Sequence, residues 1–226
     1  METGAAGLHP VGMIASLDTV VPGLYASAPE RLPFGHELDI RAYLLEREAG
    51  NLLLYRSDEL RNEVAAIRER GGIARQYLNH WHEAAPVCDW VARTFDAPLF
   101  VHADDAAEVS SVAHVRATFR RRHMLDDDFE VIPIPGHTPG ATAYLWDSGS
   151  HRVLFTGDTI YLSRGRWATA VLGSSDRERY LESLELIRGL DFDVLVPAIA
   201  TAGDRPYALV GRDEIERRID ELVAEI

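Results

Sequence analysis

The sequence predicts an α/β fold in a single domain over residues 1–226, and three observations predict it. Short apolar runs of strand length alternate along the chain with segments of helical periodicity. No internal repeat, low-complexity tract or linker separates them. Of the 226 residues, 46% are hydrophobic and 26% charged, enough to give one large domain a sizeable core.

Residues 1 to 35 are rich in Gly, Pro and Ala, with Val20 to Tyr25 as the one short strand, and suit either a loop over a substrate or plain N-terminal packing. Leu38 to Glu46 and Asn51 to Tyr55 flank Arg47-Glu48-Ala49-Gly50 and read as a hairpin of two buried strands. Asp58 reads as a helix cap. Leu60, Val64 and Ile67 then mark one helical face, which Gly71-Gly72 ends. A strand from Ile73 to Asn79 leads into His80-Trp81-His82-Glu83-Ala84-Ala85. In an extended segment alternate side chains project to one side, so both imidazoles can chelate a single ion. Glu83 beside them reads as a solvated carboxylate at a helix start, with support of Asp158 as the other reading. Pro86 suits a first helical turn whose apolar face is Val87, Trp90 and Val91, with Cys88 near it as a small core residue. Ala97 to His102 is a strand with a structural histidine at its end, and Asp104 to Ala113 is a helix. The basic run from Arg116 to His123 reads as a solvated face.

The stretch from Val131 to Thr159 carries the most chemistry. An apolar run ends in Pro135-Gly136-His137-Thr138-Pro139-Gly140, so a tight turn at a strand end presents His137. Strands Thr142 to Trp146 and Arg152 to Phe155 follow, joined through Ser148-Gly149-Ser150, and return the chain to Asp158 on the same rim. Ile160 to Ser174 is irregular, and its Arg164 and Arg166 offer forked donors to a substrate carboxylate or phosphate. Ser175-Asp176-Arg177-Glu178 reads as a capping box before a helix with Tyr180, Leu181, Leu184 and Ile187 inward. A strand from Phe192 to Val196 and a helix from about Gly211 that buries Ile215, Ile219, Leu222, Val223 and Ile226 complete the chain.

Acidic residues number 36 against 23 basic ones, a net charge of −13, which disfavours nucleic acid and anionic membrane as partners and leaves a small-molecule substrate. The single cysteine allows no intramolecular disulfide and no cysteine-rich zinc site, so any metal is held by His and carboxylate. Met1 to Val21 has no basic n-region, and no run of apolar residues reaches membrane-spanning length. Cytoplasmic residence is the expectation.

Gly136-His137-Thr138-Pro139-Gly140, followed some fifteen residues later by Phe155-Thr156-Gly157-Asp158-Thr159 and preceded by His80-Trp81-His82, resembles the metallo-β-lactamase-fold superfamily. The resemblance implies a four-layer αββα sandwich. It also implies one metal on His80, His82 and His137, with Asp158 as fourth ligand or as the base that takes a proton from bound water. The chain departs from the family where Asp and His would complete the first motif, because Ala84 and Ala85 stand there, and where a late Pro-Gly-His would stand, because it reads Pro197-Ala198-Ile199-Ala200. A second metal thus lacks three of its four ligands, Asp158 excepted. The expected reaction is hydrolysis of an ester, thioester or amide by water on a single zinc ion. Counted differently, His80, His137 and Asp158 form a two-His-one-carboxylate set suited to iron(II) and dioxygen, as in the persulfide dioxygenases of the superfamily. His82 separates the two readings. A catalytically degenerate binding protein of the same fold is the third class.

Overall fold

Strands in this chain read as unbroken apolar runs because both of their faces are buried. In the strand Leu52–Leu54 the outer two side chains enter one core cluster and Leu53 enters another. In Arg152–Gly157, Val153 and Phe155 join the first cluster while Leu154 joins a third. The period of two thus divides one apolar run between two layers.

The computed structural model describes residues 15–16, 20–33 and 37–226. A seven-stranded sheet runs, in spatial order, through Ala15–Ser16, Leu24–Ala26, Tyr43–Leu45, Leu52–Leu54, Arg75–Tyr77, Leu99–His102 and Val115–Phe119. A six-stranded sheet holds His123–Leu125, Phe129–Pro133, Thr142–Asp147, Arg152–Gly157, Val194–Pro197 and Ala208–Leu209. Their facing side chains, Tyr43, Leu45, Leu54, Tyr77, Phe129, Tyr144, Phe155 and Val196 among them, form the central core. Helices Val64–Glu69 and Pro86–Phe95 cover the outer face of the first sheet, and Arg177–Arg188 and Arg212–Glu225 that of the second. This is the four-layer αββα sandwich. A smaller five-stranded sheet, in the order Arg166–Ala168, Tyr161–Ser163, Ile199–Thr201, Leu38–Ile40 and Glu30–Arg31, walls one end of the sandwich.

Several local expectations change. The run from Leu38 to Glu46 is two strands in two sheets, because the Arg41 amide donates to the Ala198 carbonyl and the Ala42 amide to the Ser27 hydroxyl, which breaks the ladder between them. Only Tyr43–Leu45 pairs with Leu52–Leu54. Ser57, not Asp58, caps the helical turn that follows, accepting from the Glu59 amide. Asp176, not Ser175, caps the Arg177–Arg188 helix, accepting from the Arg179 amide. The helix expected from Asp104 to Ala113 is the shorter Ala106–Ser110. The basic run becomes strand edge, with Arg120 paired to Asp104 and Arg122 gripping Glu130 with two nitrogens. His102 is a structural residue, its Nε2 donating to the Arg120 carbonyl. Cys88 is buried, and burial pushes its thiol up to about 11. Among the described residues no helix is long and apolar enough to cross a membrane. Most of the N-terminal stretch read as loop or packing lies outside the described residues.

Tyr55 links the layers. It sits at the left-handed φ of 62°, accepts from the Gly157 amide at 2.9 Å and donates to the Val196 carbonyl at 3.0 Å, so it joins the first sheet to the two strands that end at the site. Tyr55→Phe orphans a buried amide and a carbonyl together. We expect it to lower the unfolding free energy by about 2 kcal/mol, since leaving a buried polar group unpaired costs roughly 1–3 kcal/mol, as urea denaturation would measure. A variant as stable as the parent would contradict this account of the packing.

Candidate metal centre

Three turns bring the histidines and Asp158 together. After the strand Arg75–Tyr77 the backbone stays extended through His80 (φ −158°, ψ 170°) and then tightens into a single 3-10 turn over Trp81–Glu83. The His-x-His pair is therefore presented by a strand-to-turn junction rather than by a continuous strand. The turn brings His82 back toward His137, with His82 Nδ1 3.2 Å from His137 Nε2. Asp158 completes the group from the turn after Arg152–Gly157, its Oδ2 lying 3.5 Å from His80 Nε2 and 4.0 Å from His137 Nε2. A tetrahedral ion with metal–nitrogen bonds of roughly 2.0–2.1 Å sets its ligands about 3.3 Å apart. The first two of these separations lie close to that value.

The outer edge of each inner ring is held, which decides its tautomer. His137 Nδ1 faces the Ala170 carbonyl at 2.7 Å, so it carries the proton and leaves a lone pair on Nε2. His80 Nδ1 faces the side-chain oxygen of Asn79 at 2.9 Å, and the Asn79 amide nitrogen is committed to the Thr142 carbonyl, so the oxygen must accept. His80 Nε2 is likewise left with a lone pair turned inward. Burial holds the His80 ring well below the usual histidine range, with His137 and His82 adding to the effect. Burial also lowers His82, and lowers His137 to about 4. All three rings are neutral donors at neutral pH.

Two carboxyl groups lie beside them, Asp158 and Glu83. Burial pushes the Asp158 carboxyl up to about 7. Glu83 is 3% exposed and not the solvated carboxylate expected. Its Oε2 accepts from the Asn79 backbone N–H at 2.9 Å and its Oε1 lies 3.5 Å from His80 Nδ1. Burial raises it well above the carboxylate range, with Asp158 adding to the rise. His80 Nε2, Asp158 Oδ1 and Glu83 Oε1 are buried without a hydrogen-bond partner. Orphan polar atoms of this kind cost about 1–3 kcal/mol each, and a bound dication would satisfy those that face it. Neutral imidazoles with converging lone pairs, a carboxylate alongside and unsatisfied donors between them fit a metal ion.

Asp105 was not among the residues singled out from the sequence. Its buried carboxylate accepts from the Trp81 amide (3.0 Å) and the Thr138 hydroxyl (2.7 Å) on one oxygen, and from the Gly140 amide (2.8 Å) on the other. It ties the His80–His82 turn to the His137 turn. A Cβ on Gly140 would lie 2.6 Å from the Asp105 carboxyl carbon, so only glycine fits there. Its signal in the sequence was its place just past a strand end, the same as that of Asp158. The Arg177–Arg188 helix supplies the second clamp. The Asp176 amide donates to the Gly136 carbonyl, the Ser175 hydroxyl to His137, the Ser183 hydroxyl to Pro135, and the Tyr180 hydroxyl to Thr159. Gly136, at φ 142°, would place a Cβ 2.5 Å from the Tyr180 Cα, so this close approach also excludes any side chain.

Arg164 and Arg166 lie elsewhere. The segment holding them is a hairpin whose two turn residues, Arg164 and Gly165, both have positive φ, the turn geometry that matches strand twist. The Arg164 side chain is 76% exposed and pairs with Glu37 at 2.8 Å. It lines a separate surface depression with Asp204 and Arg205. Neither arginine lines the pocket of about 640 Å³ that opens over His82, His137 and Asp158. Ala84 and Ile199, at two positions where the family would carry ligands of a second metal, are part of that pocket's wall.

Comparison with known proteins finds relatives of the same fold. A family model described as the metallo-beta-lactamase superfamily matches residues 77–199, just over half of the chain. A hydroxyacylglutathione hydrolase of Xanthomonas axonopodis pv. citri is 30% identical over 138 residues, 59% of this chain and 50% of that protein. A second protein of that name, from Xanthomonas euvesicatoria pv. vesicatoria, is 28% identical over 137 residues. The chain spans about half the length of these curated relatives. Among solved structures, the metallo-beta-lactamase DIM-1 superposes with a TM-score of 0.71 at 14% identity, covering 96% of this chain and 98% of that one. TTHA1623 in a di-iron-bound form superposes with a TM-score of 0.61 at 24% identity, covering 83% and 96%. These likenesses are of fold.

The Asp105 tie has a measurable consequence. Asp105→Ala removes it, and Asp105→Asn turns an amide donor toward at least one donor among Trp81, Thr138 and Gly140. We expect either change to weaken metal binding by about 10–100-fold, the usual effect of losing a group that orients ligands, with the fold retained by circular dichroism. Chelator competition measures it, and affinity equal to the parent's would remove Asp105 from the site.

Proposed function

The chain belongs to the metallo-beta-lactamase superfamily, and from that membership and its converging imidazoles we propose that it is a hydrolase acting through one bound metal ion, zinc by preference, on an ester, thioester or amide. The observation that carries this reading is the approach of His82 Nδ1 and His137 Nε2 beside His80 and Asp158. When bound, zinc would lower the pKa of a water to roughly 7 and polarise a substrate carbonyl. His80, His82 and His137 would hold it. Asp158 would be the fourth ligand or the acceptor of the proton released from water, because its Oδ2 reaches the two Nε2 atoms while its other oxygen has no partner. The names of the two curated relatives, both thioester hydrolases, support acyl transfer to water as the reaction class. A single ion is favoured over a pair because Ala84, Ala85 and Ile199 offer no ligand atom on their side chains.

The iron reading requires His82 to be a bystander, and its 3.2 Å separation from His137 favours the three-histidine set instead. Protein purified without added metal should hold close to one equivalent of zinc, with His80→Ala losing most of it. Turnover on a panel of esters and thioesters should require both the metal and His137. Iron retained in His82→Ala, lost in Asp158→Ala and accompanied by oxygen uptake with a persulfide would replace this reading with a dioxygenase. Ligand-induced stabilisation with no turnover would replace it with a binding protein.

A further inference from the structure

Resting on that hydrolase reading, we infer that the substrate presents an uncharged apolar acyl chain or aryl group to this pocket, and that no anionic group of the substrate is recognised there. Leu38, Trp81, Val112, Tyr161, Leu172 and Ile199 form most of the wall around the floor made by His82, His137 and Asp158. A volume of about 640 Å³ accommodates a chain of several carbons. The apolar character reaches the mouth. Val112 and Leu172, at 44% and 42% exposure, are two of the four large hydrophobic side chains exposed among the described residues, and both border this opening. Keeping such side chains in water at the entrance of one pocket is the pattern of a surface that gains by covering them.

Charge points the same way. The chain contains no lysine, so all 23 of its basic residues are arginine, and each lies among the described residues. None lines the pocket, and its acidic residues are Glu108 and Asp158. A substrate carboxylate or phosphate away from the reacting carbonyl would enter without a partner and beside like charge. Burying an unpaired charge is unfavourable, and like-charge juxtaposition across an interface costs several kcal/mol. A metal ion's positive charge acts chiefly at the floor, where Asp158 offsets part of it, and weakens with distance toward a group at the far end of the substrate. The arginines at 164 and 166 cannot supply the missing partner from the hairpin tip.

Two probes of equal length and equal chelating group isolate the effect: octanohydroxamic acid, and the monohydroxamic acid of octanedioic acid, which adds a terminal carboxylate. Calorimetric titration into protein carrying one equivalent of zinc, at fixed ionic strength, should give a dissociation constant at least about tenfold lower for the uncharged probe. Equal or reversed affinities, or binding of neither, would overturn the inference. Leu172→Arg places a cation at the mouth and should bring the carboxylated probe to parity or better. An unchanged ratio in folded, zinc-loaded Leu172→Arg would also overturn it. The two readings fail separately. Preferential turnover of carboxylated esters keeps the hydrolase and sinks the apolar substrate, whereas the expected binding ratio with no turnover of octanoyl esters keeps the apolar ligand and sinks the hydrolase.

Discussion

The Asp105 carboxylate accepts three hydrogen bonds from two turns, and the separation of the imidazoles depends on them. The turns belong to different sheets, so neither strand by itself sets the distance from His82 to His137. Burial raises the proton affinity of Asp105, while the Thr138 hydroxyl and the Gly140 and Trp81 amides lower it. The charge is carried by directed donors instead of a cation, which makes the link short and angularly defined. Asn79 extends it, bonding the His80 ring on one side and the strand after the His137 turn on the other. A metal site built on loops gains the rigidity of sheets through such ties.

The Arg177–Arg188 helix acts from the opposite side. Its first turns touch Gly136, His137 and Thr159, so one rigid element positions both the third histidine and the turn that carries Asp158. This explains why the motif begins with glycine: a side chain there would collide with helix backbone, which cannot rotate away as a side-chain tip can. The two clamps lie on different elements and meet only through the turn between Gly136 and Gly140. Fold and site therefore share their stabilising contacts, and the four-layer core is the frame on which both clamps rest.

Two residues that carry no ligand atom also shape the pocket. Ala84 and Ile199 offer methyl and methylene surface where the family carries ligands, and the five-stranded sheet brings Leu38 and Tyr161 to the same wall. Ala84 and Ile199 thus offer no side-chain ligand atom and add apolar surface to the pocket. What the chain gives up in ligand atoms it regains as surface that favours dehydration.

Residue type and local spacing by themselves made the α/β alternation legible, and the motif resemblance carried by Gly136 to Gly140 and Phe155 to Thr159 pointed to His80, His82, His137 and Asp158, which the structure brings together. The double-faced burial of runs such as Leu52 to Leu54 was legible for the same reason, since period-two alternation is local. Where a side chain points was not legible when distant elements decide it. Glu83 looked solvated but lies under His80 because the chain turns there rather than continuing as a strand. Arg164 and Arg166 looked like substrate contacts but sit on a hairpin whose left-handed turn carries them away from the pocket. Asp105 offered only its place just past a strand end, since its three donors come from one turn some twenty-four residues before it and another some thirty-three to thirty-five after it. Sequence neighbours specify the backbone's local shape, whereas contacts across such separations exist only once the sheets have packed, and the tertiary structure alone decides them.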